Sequence, residues 1–155
     1  MVGAVGAPAA HRSGAEGWHR VAVVEVLSSR FIVRCADLDR TASFWCDTVG
    51  LRIYREYGAG GVRTGVVLFC GGGFLELTTV GTDRPERVGD DLVLWLQVPD
   101  VDVETRRLSA SGVAVEGPRT EPWGLREAWL RDPEGLRVVL VEVPDGHPIR
   151  SRVDG

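Results

Sequence analysis

The stretch RFIVRCADLDRTASFWCDTVG, Arg30 to Gly50, decides how this chain of 155 residues is to be read, because its plan occurs twice. Arg30–Cys35 alternates in the manner of a strand, Asp37-Leu38-Asp39 is an acidic turn suited to opening a helix, and Gly50 closes that helix before a new strand begins at Leu51. The plan returns from Val93 to Gly112, with VLWLQV as the strand, Asp100-Val101-Asp102 as the turn and Gly112 as the stop before Val113-Ala114-Val115. Asp37, Asp39 and Gly72 recur as Asp100, Asp102 and Gly135, each 63 residues on. Self-similarity at a fixed spacing marks a duplicated supersecondary unit. The unit reads strand, helix, three strands, so function is to be sought where two such units meet.

Within the first unit, Phe31, Val33 and Cys35 share one strand face, and Arg30, Ile32 and Arg34 the other. The helix covers the apolar face with a stripe of Leu38, Ala42, Trp45, Cys46 and Val49, and Asp37 is its expected N-cap. Leu51–Tyr57 and Val62–Cys70 follow as a hairpin through Gly58–Gly61. That glycine cluster is a turn and not a phosphate loop, since no helix follows to present its amides. Gly71-Gly72-Gly73 leads into FLELTT, where Phe74, Glu76 and Thr78 share a face. In the second unit Leu94, Leu96 and Val98 face the helix, while Val93, Trp95 and Gln97 face away. Val113–Val115 reads as a short strand and Gly117–Gly124 as a loop carrying Trp123. Leu125–Arg131 and Leu136–Val143 form a hairpin through Asp132-Pro133-Glu134-Gly135, with Pro and Gly where a turn wants them.

The expectation is an α+β protein with modules at about 29–80 and 92–143, joined by a polar linker, Val80–Asp91, inside one domain spanning 20–145. Arg20–Leu27 is either an extra strand or a lead-in. Residues 1–19 read as a disordered tail and 146–155 as a second, C-terminal tail. A net charge of −4 argues against nucleic acid, although all 18 basic residues are arginine. No apolar run approaches the ~20 residues that span a bilayer, and Met1–His19 lacks the apolar core of a signal peptide, so a cytoplasmic location is expected. Cys35, Cys46 and Cys70 form no C-x-x-C pair and read as buried, reduced thiols.

The strand faces turned away from the helices collect Arg30, Arg34, Phe74, Glu76, Trp95, Gln97 and Arg137. Such a surface is too polar for a plain core and too aromatic for plain solvent exposure. It suits a ligand pocket or a face that meets a second copy of the chain.

The acidic turn, Phe44-Trp45, the V-G-L of Val49–Leu51, the F-L-E-L of Phe74–Leu77 and the D-P-E-G of Asp132–Gly135 together resemble the vicinal oxygen chelate superfamily, over roughly Ser29 to Val143. That group holds glyoxalase I, extradiol dioxygenases, fosfomycin-modifying enzymes and bleomycin-resistance proteins. The resemblance implies tandem βαβββ modules forming a curled mixed sheet around a shared cavity, helices outside, in a homodimer. It places the metal ligands of the enzymes at Arg30, Glu76, Val93 and Val139. Only Glu76 carries a donor atom, because arginine stays protonated and valine has none. His11, His19 and His147 lie outside the resembling region. The expectation is therefore a protein without metal or other cofactor that binds a small molecule, an antibiotic or aromatic metabolite, through Arg30, Arg34, Phe74, Glu76, Trp95, Gln97, Trp123 and Arg137. Arg34 matches an arginine that binds a carboxylate in glyoxalases. The alternative is a lyase, isomerase or dioxygenase-like enzyme using Glu76 as metal ligand or as a catalytic base with a raised pKa. If the fold is right, Arg30 and Glu76 touch.

Overall fold

The computed structural model describes Val24, residues 26–79 and residues 92–149. The expected tail over 1–19, most of the Arg20–Leu27 segment, the linker over 80–91 and residues 150–155 lie outside the described residues. Val24, Val26 and Leu27 are not in a strand.

The first module runs β1 (Arg30–Arg34), α1 (Leu38–Ser43), β2 (Ile53–Ala59), β3 (Val62–Cys70) and β4 (Gly73–Thr78). The second runs β5 (Val93–Gln97), α2 (Val101–Ala110), β6 (Glu116–Thr120), β7 (Arg126–Arg131) and β8 (Arg137–Glu142). Each builds a four-stranded mixed sheet, ordered β1-β4-β3-β2 and β5-β8-β7-β6, in which only the first pair is parallel. The repeat holds to the residue: Arg30 pairs with Phe74 and Val93 with Arg137, Ile32 with Glu76 and Trp95 with Val139.

Both acidic turns cap their helices. The Asp37 carboxylate accepts from Arg40 N at 3.0 Å and Asp100 from Val103 N at 2.8 Å, each satisfying a first-turn N–H that lacks a helical partner. The first helix then departs from its stripe. Past Ser43 it widens into a π-helical segment, Phe44–Val49, whose end places Gly50 N and Leu51 N on the Trp45 carbonyl at 3.1 and 2.9 Å. The wider turn rotates the residues after Trp45, so Leu38, Ala42 and Trp45 are buried while Cys46 and Val49 are only half-buried. Cys35 is buried, and that burial pushes its thiol up to about 12; Cys70, like Cys46, is half-buried, contrary to the expectation for all three.

The sixth strand also corrects the sequence reading. Val113–Val115 is irregular, and the strand occupies Glu116–Thr120, running from just before the expected loop Gly117–Gly124 into its first half. Pro118 has no N–H to give a ladder, but β6 is an edge strand whose pairing with β7 skips between Glu116 and Arg119. An edge tolerates proline in this way.

One core fills the helix-covered sides of both sheets. Val33, Trp45, Leu68, Leu75 and Leu77 of the first module join Val101, Leu108, Leu136, Val138 and Leu140 of the second. Polar bonds cross the junction. Trp45 Nε1 donates to Asp132 Oδ2 at 3.2 Å, and Thr41 Oγ1 to Glu134 Oε1 at 2.9 Å, so the turn of the second module sits against the helix of the first. Asp132 is buried; burial pushes its carboxyl up, against the pull of the backbone N–H of Leu136, the Trp45 indole and the N–H of Glu134. On the other side Arg107 of α2 donates to the carbonyls of Thr48 and Val49 at 2.6 and 3.0 Å, meeting the free end of the first helix. A smaller apolar cluster, Leu125, Val139, Val141 and Val143 with Val93 and Trp129, lies on the face of the second sheet turned away from the helices. No helix among the described residues is long and apolar enough to cross a membrane.

Candidate ligand-binding site

A cavity of about 800 Å³ opens where the β1 side of the first module meets β5 of the second. Of the expected binding residues, Arg30, Phe74, Trp95 and Gln97 line it. Phe31, Leu94, Leu96 and Leu108 supply much of its apolar wall, and Arg107 stands in the wall as well. Aromatic and aliphatic lining with a few polar groups is the composition of a small-molecule site. The Gly71–Gly73 turn forms part of the boundary. A Cβ at Gly73 would stand 2.6 Å from Ser29 Oγ, so glycine there lets β4 begin close beside the start of β1.

Beside this cavity Glu76 is held from two sides. Arg30 Nη1 meets its Oε2 at 2.7 Å, as expected, and Tyr57 Oη donates to its Oε1 at 2.5 Å. Burial pushes the Glu76 carboxyl up, but the hydrogen bonds from Tyr57 and Arg30 outweigh it and hold the group below its ordinary value. This reverses the raised pKa that a base at Glu76 would require. Burial, then the bond to Glu76, pushes the Tyr57 phenol up, keeping it a donor.

Strand parity in the sequence misses Tyr57, and the reason is a bulge. Ile53 pairs with Leu68 and Arg55 with Val67, so one residue is extra and Tyr54, Arg55 and Tyr57 all reach the Glu76 face. The available signal was Gly65, opposite Tyr57 in β3: a Cβ there would fall 2.1 Å from the tyrosine ring, so the ring lies on bare backbone. Tyr54, Phe69 and Phe74 form a tier of rings with centroids 4.9–5.7 Å apart, and the Arg30 guanidinium lies 5.7 Å from the Phe74 centroid.

The other expected residues stand apart from the cavity. Arg34, at the end of β1 opposite Thr78, is exposed and has no hydrogen bond or ion pair among the described residues. Trp123 is 57% exposed and its Nε1 donates to Glu127 Oε1 at 2.7 Å. Arg137 lies over the Trp129 ring at 4.7 Å. Val93 and Val139 pack in the small apolar cluster of the second sheet.

The four positions at which the family resemblance places metal ligands do not fit a metal. Glu76 alone has a donor atom, and both its oxygens are engaged by Arg30 and Tyr57. Asp100, Asp102 and Glu142 do gather near the start of α2, but Arg126 takes both oxygens of Asp102 at 2.7 and 2.8 Å, and Glu142 accepts from Val101 N at 2.9 Å.

Duplicated βαβββ modules with a cavity between them define a class of small-ligand proteins and enzymes by fold. The chain belongs to the Glyoxalase/Bleomycin resistance protein/Dioxygenase superfamily, whose family model matches residues 26–140. Among solved structures it is similar to TnmS3, an antibiotic binding protein from Streptomyces sp. CB03234, with 27% identity and a TM-score of 0.65, over 79% of this chain and all of that one. A glyoxalase/bleomycin resistance protein from the same Streptomyces is 29% identical, with a TM-score of 0.58 over 73% of this chain and 97% of the other. TioX from Micromonospora sp. ML1, 24% identical over 74% of this chain and 97% of its own, shares the fold with a TM-score of 0.62. No curated protein sequence matches the chain significantly.

Proposed function

We propose that this protein binds a small, partly aromatic molecule without a metal, and that it sequesters an antibiotic or aromatic metabolite instead of transforming it. The observation that carries this reading is the state of Glu76. Where metal-dependent relatives converge on an ion, this chain has a carboxylate engaged by Arg30 and Tyr57, beside a cavity lined by Phe74 and Trp95. A lowered pKa and two engaged oxygens suit a fixed dipole that orients a ligand, and they oppose proton abstraction. Similarity to an antibiotic binding protein supports the same reading.

Sequestration requires affinity alone, which ring stacking and a few polar contacts supply. The acting form is a homodimer: Ile32, Tyr54, Phe69 and Trp95 are large apolar side chains left substantially exposed on the non-helical faces of a single chain, and a second copy would cover them. The test is a thermal-shift screen of antibiotics and aromatic metabolites in excess EDTA. A ligand at a hundred times its Kd stabilises by about 2.7 kcal/mol, so a true ligand raises Tm by several degrees with the metal removed. Ligand effects that vanish with EDTA, or stoichiometric metal in protein purified without chelator, would overturn the proposal.

A further inference from the structure

Consecutive residues of β5, from Leu94 through Val98, line the cavity, together with Ser29, Arg30 and Phe31 at the start of β1. Neighbours on a strand send their side chains to opposite faces, so a cavity that touches each of them in turn runs along the edge of the strand and not over one face. That edge is open. β5 ends its sheet and β1 ends the other, and no described strand pairs along the outer side of either. In a parallel pair alternate residues give their backbone groups to the partner strand. Val98 N donates to Val141 O at 2.9 Å, so Leu96 and Val98 serve β8, while Trp95 and Gln97 turn their N–H and C=O outward. By the same alternation Ser29 O, which accepts from Phe74 N at 3.1 Å, leaves the N–H and C=O of Arg30 on the outer side of β1. No described residue bonds these outward groups. Backbone donors and acceptors require partners, and here water or a ligand supplies them.

We propose that the cavity takes a short linear peptide, extended along the β5 edge and exchanging backbone hydrogen bonds with Trp95 and Gln97. The inference rests on the reading of this cavity as a binding site for a small, partly aromatic molecule and names the chemistry of that molecule. Donors and acceptors repeated at strand spacing match the amide chain of an extended peptide, and addition of a strand to an open edge is a general mode of peptide capture. Side chains of the added strand alternate between an aliphatic bank, Leu94, Leu96 and Leu108, and an aromatic one, Trp95 and Phe74. The nearby guanidiniums are already matched, Arg30 by Glu76 and Arg107 by Glu104, which suits an uncharged chain. At about 800 Å³ the space has the size of a small-molecule pocket. It is too small for a strand of a second copy together with that strand's neighbours, which decides for a free peptide.

Calorimetric titration of the full chain with acetylated peptide amides of the form Thr-X-Thr-X-Thr, where X is Phe, Tyr, Trp or Leu, tests this. Methylating the backbone nitrogens of the best binder one at a time deletes one donor each and leaves every side chain in place. Edge pairing predicts losses of about 10-fold at every second nitrogen and little loss at those between, since only alternate N–H groups face β5. Gln97→Pro deletes an outward N–H without touching the β8 ladder, a change that an edge strand tolerates, and should weaken the unmethylated peptide about as much. Gln97→Ala keeps that N–H and should preserve the alternation. Losses without alternation, or a folded Gln97→Pro protein that binds as the wild type does, overturn the proposal. The methylation scan on wild type and Gln97→Ala carries the test should the proline variant not fold. If a second copy holds the edge, the peptides do not bind the wild type and Gln97→Pro turns a dimer into a monomer in sedimentation, which also overturns it. Should the peptides fail while aromatic compounds without an amide chain bind, the peptide inference alone is wrong. Should no aromatic compound bind at all, the underlying reading falls with it.

Discussion

At the scale of single residues, the Glu76 cluster makes two predictions. Arg30→Ala removes one of two donors, but Tyr57 still holds the carboxylate and Arg30 keeps 34% of its side chain exposed, so the cost should be about 1–2 kcal/mol, below the ~3–5 kcal/mol of a fully buried pair. Its sign with pH is fixed. Because the folded-state pKa of Glu76 is lowered, its stabilisation is complete above the ordinary carboxylate value and is lost as pH falls through the folded one. Arg30→Ala and Tyr57→Phe should each move the Glu76 titration to higher pH, read by carboxyl carbon NMR, and bring acid unfolding in earlier. Gly65→Ala should copy Tyr57→Phe, because the new Cβ collides with the hydroxyl end of the ring, a side chain that gives way before the backbone does. A Glu76 titration unchanged in Gly65→Ala would contradict the geometry.

At the scale of elements, the turn Asp132–Gly135 joins the modules as much as it reverses a hairpin. Asp132→Ala strands the Trp45 indole N–H and the backbone N–H groups of Glu134 and Leu136 in buried surroundings, at about 2–4 kcal/mol in chemical denaturation. A loss below 0.5 kcal/mol, roughly that of a surface change, would show that these bonds are not made. The turn, both acidic caps and the alternation of β1, β4, β5 and β8 were legible in the sequence, because local chemistry alone fixes them. The π-helical segment, the bulge before Arg55 and strand β6 were not. Each is a departure of register, set by what packs behind it: Trp45 must reach Asp132, Tyr57 must lie on Gly65, and Glu116 and Arg119 must follow the edge of β7. One of those departures hid a member of the candidate site. Arg30, Phe74, Glu76, Trp95 and Gln97 follow from parity, whereas Tyr57 needs the bulge.

For the whole molecule, one core shared by two modules means that neither is a free-standing unit. Arg107→Ala, which cuts the bonds from α2 to Thr48 and Val49, should lower Tm in a single transition instead of splitting it in two. Sedimentation should report two chains of 16.8 kDa together; a monomer at micromolar concentration would remove the proposed dimer. The central claim, metal-free binding of an aromatic ligand in the cavity, is tested most directly by tryptophan fluorescence titrated with the best compound from the screen, on protein with and without exhaustive chelation. Trp95 lies in the cavity wall and is 44% exposed, so metal-free binding predicts saturable quenching with the same Kd in both preparations, and its loss in Trp95→Phe. Quenching that appears only in the metal-replete protein, or that survives unchanged in Trp95→Phe, would contradict it.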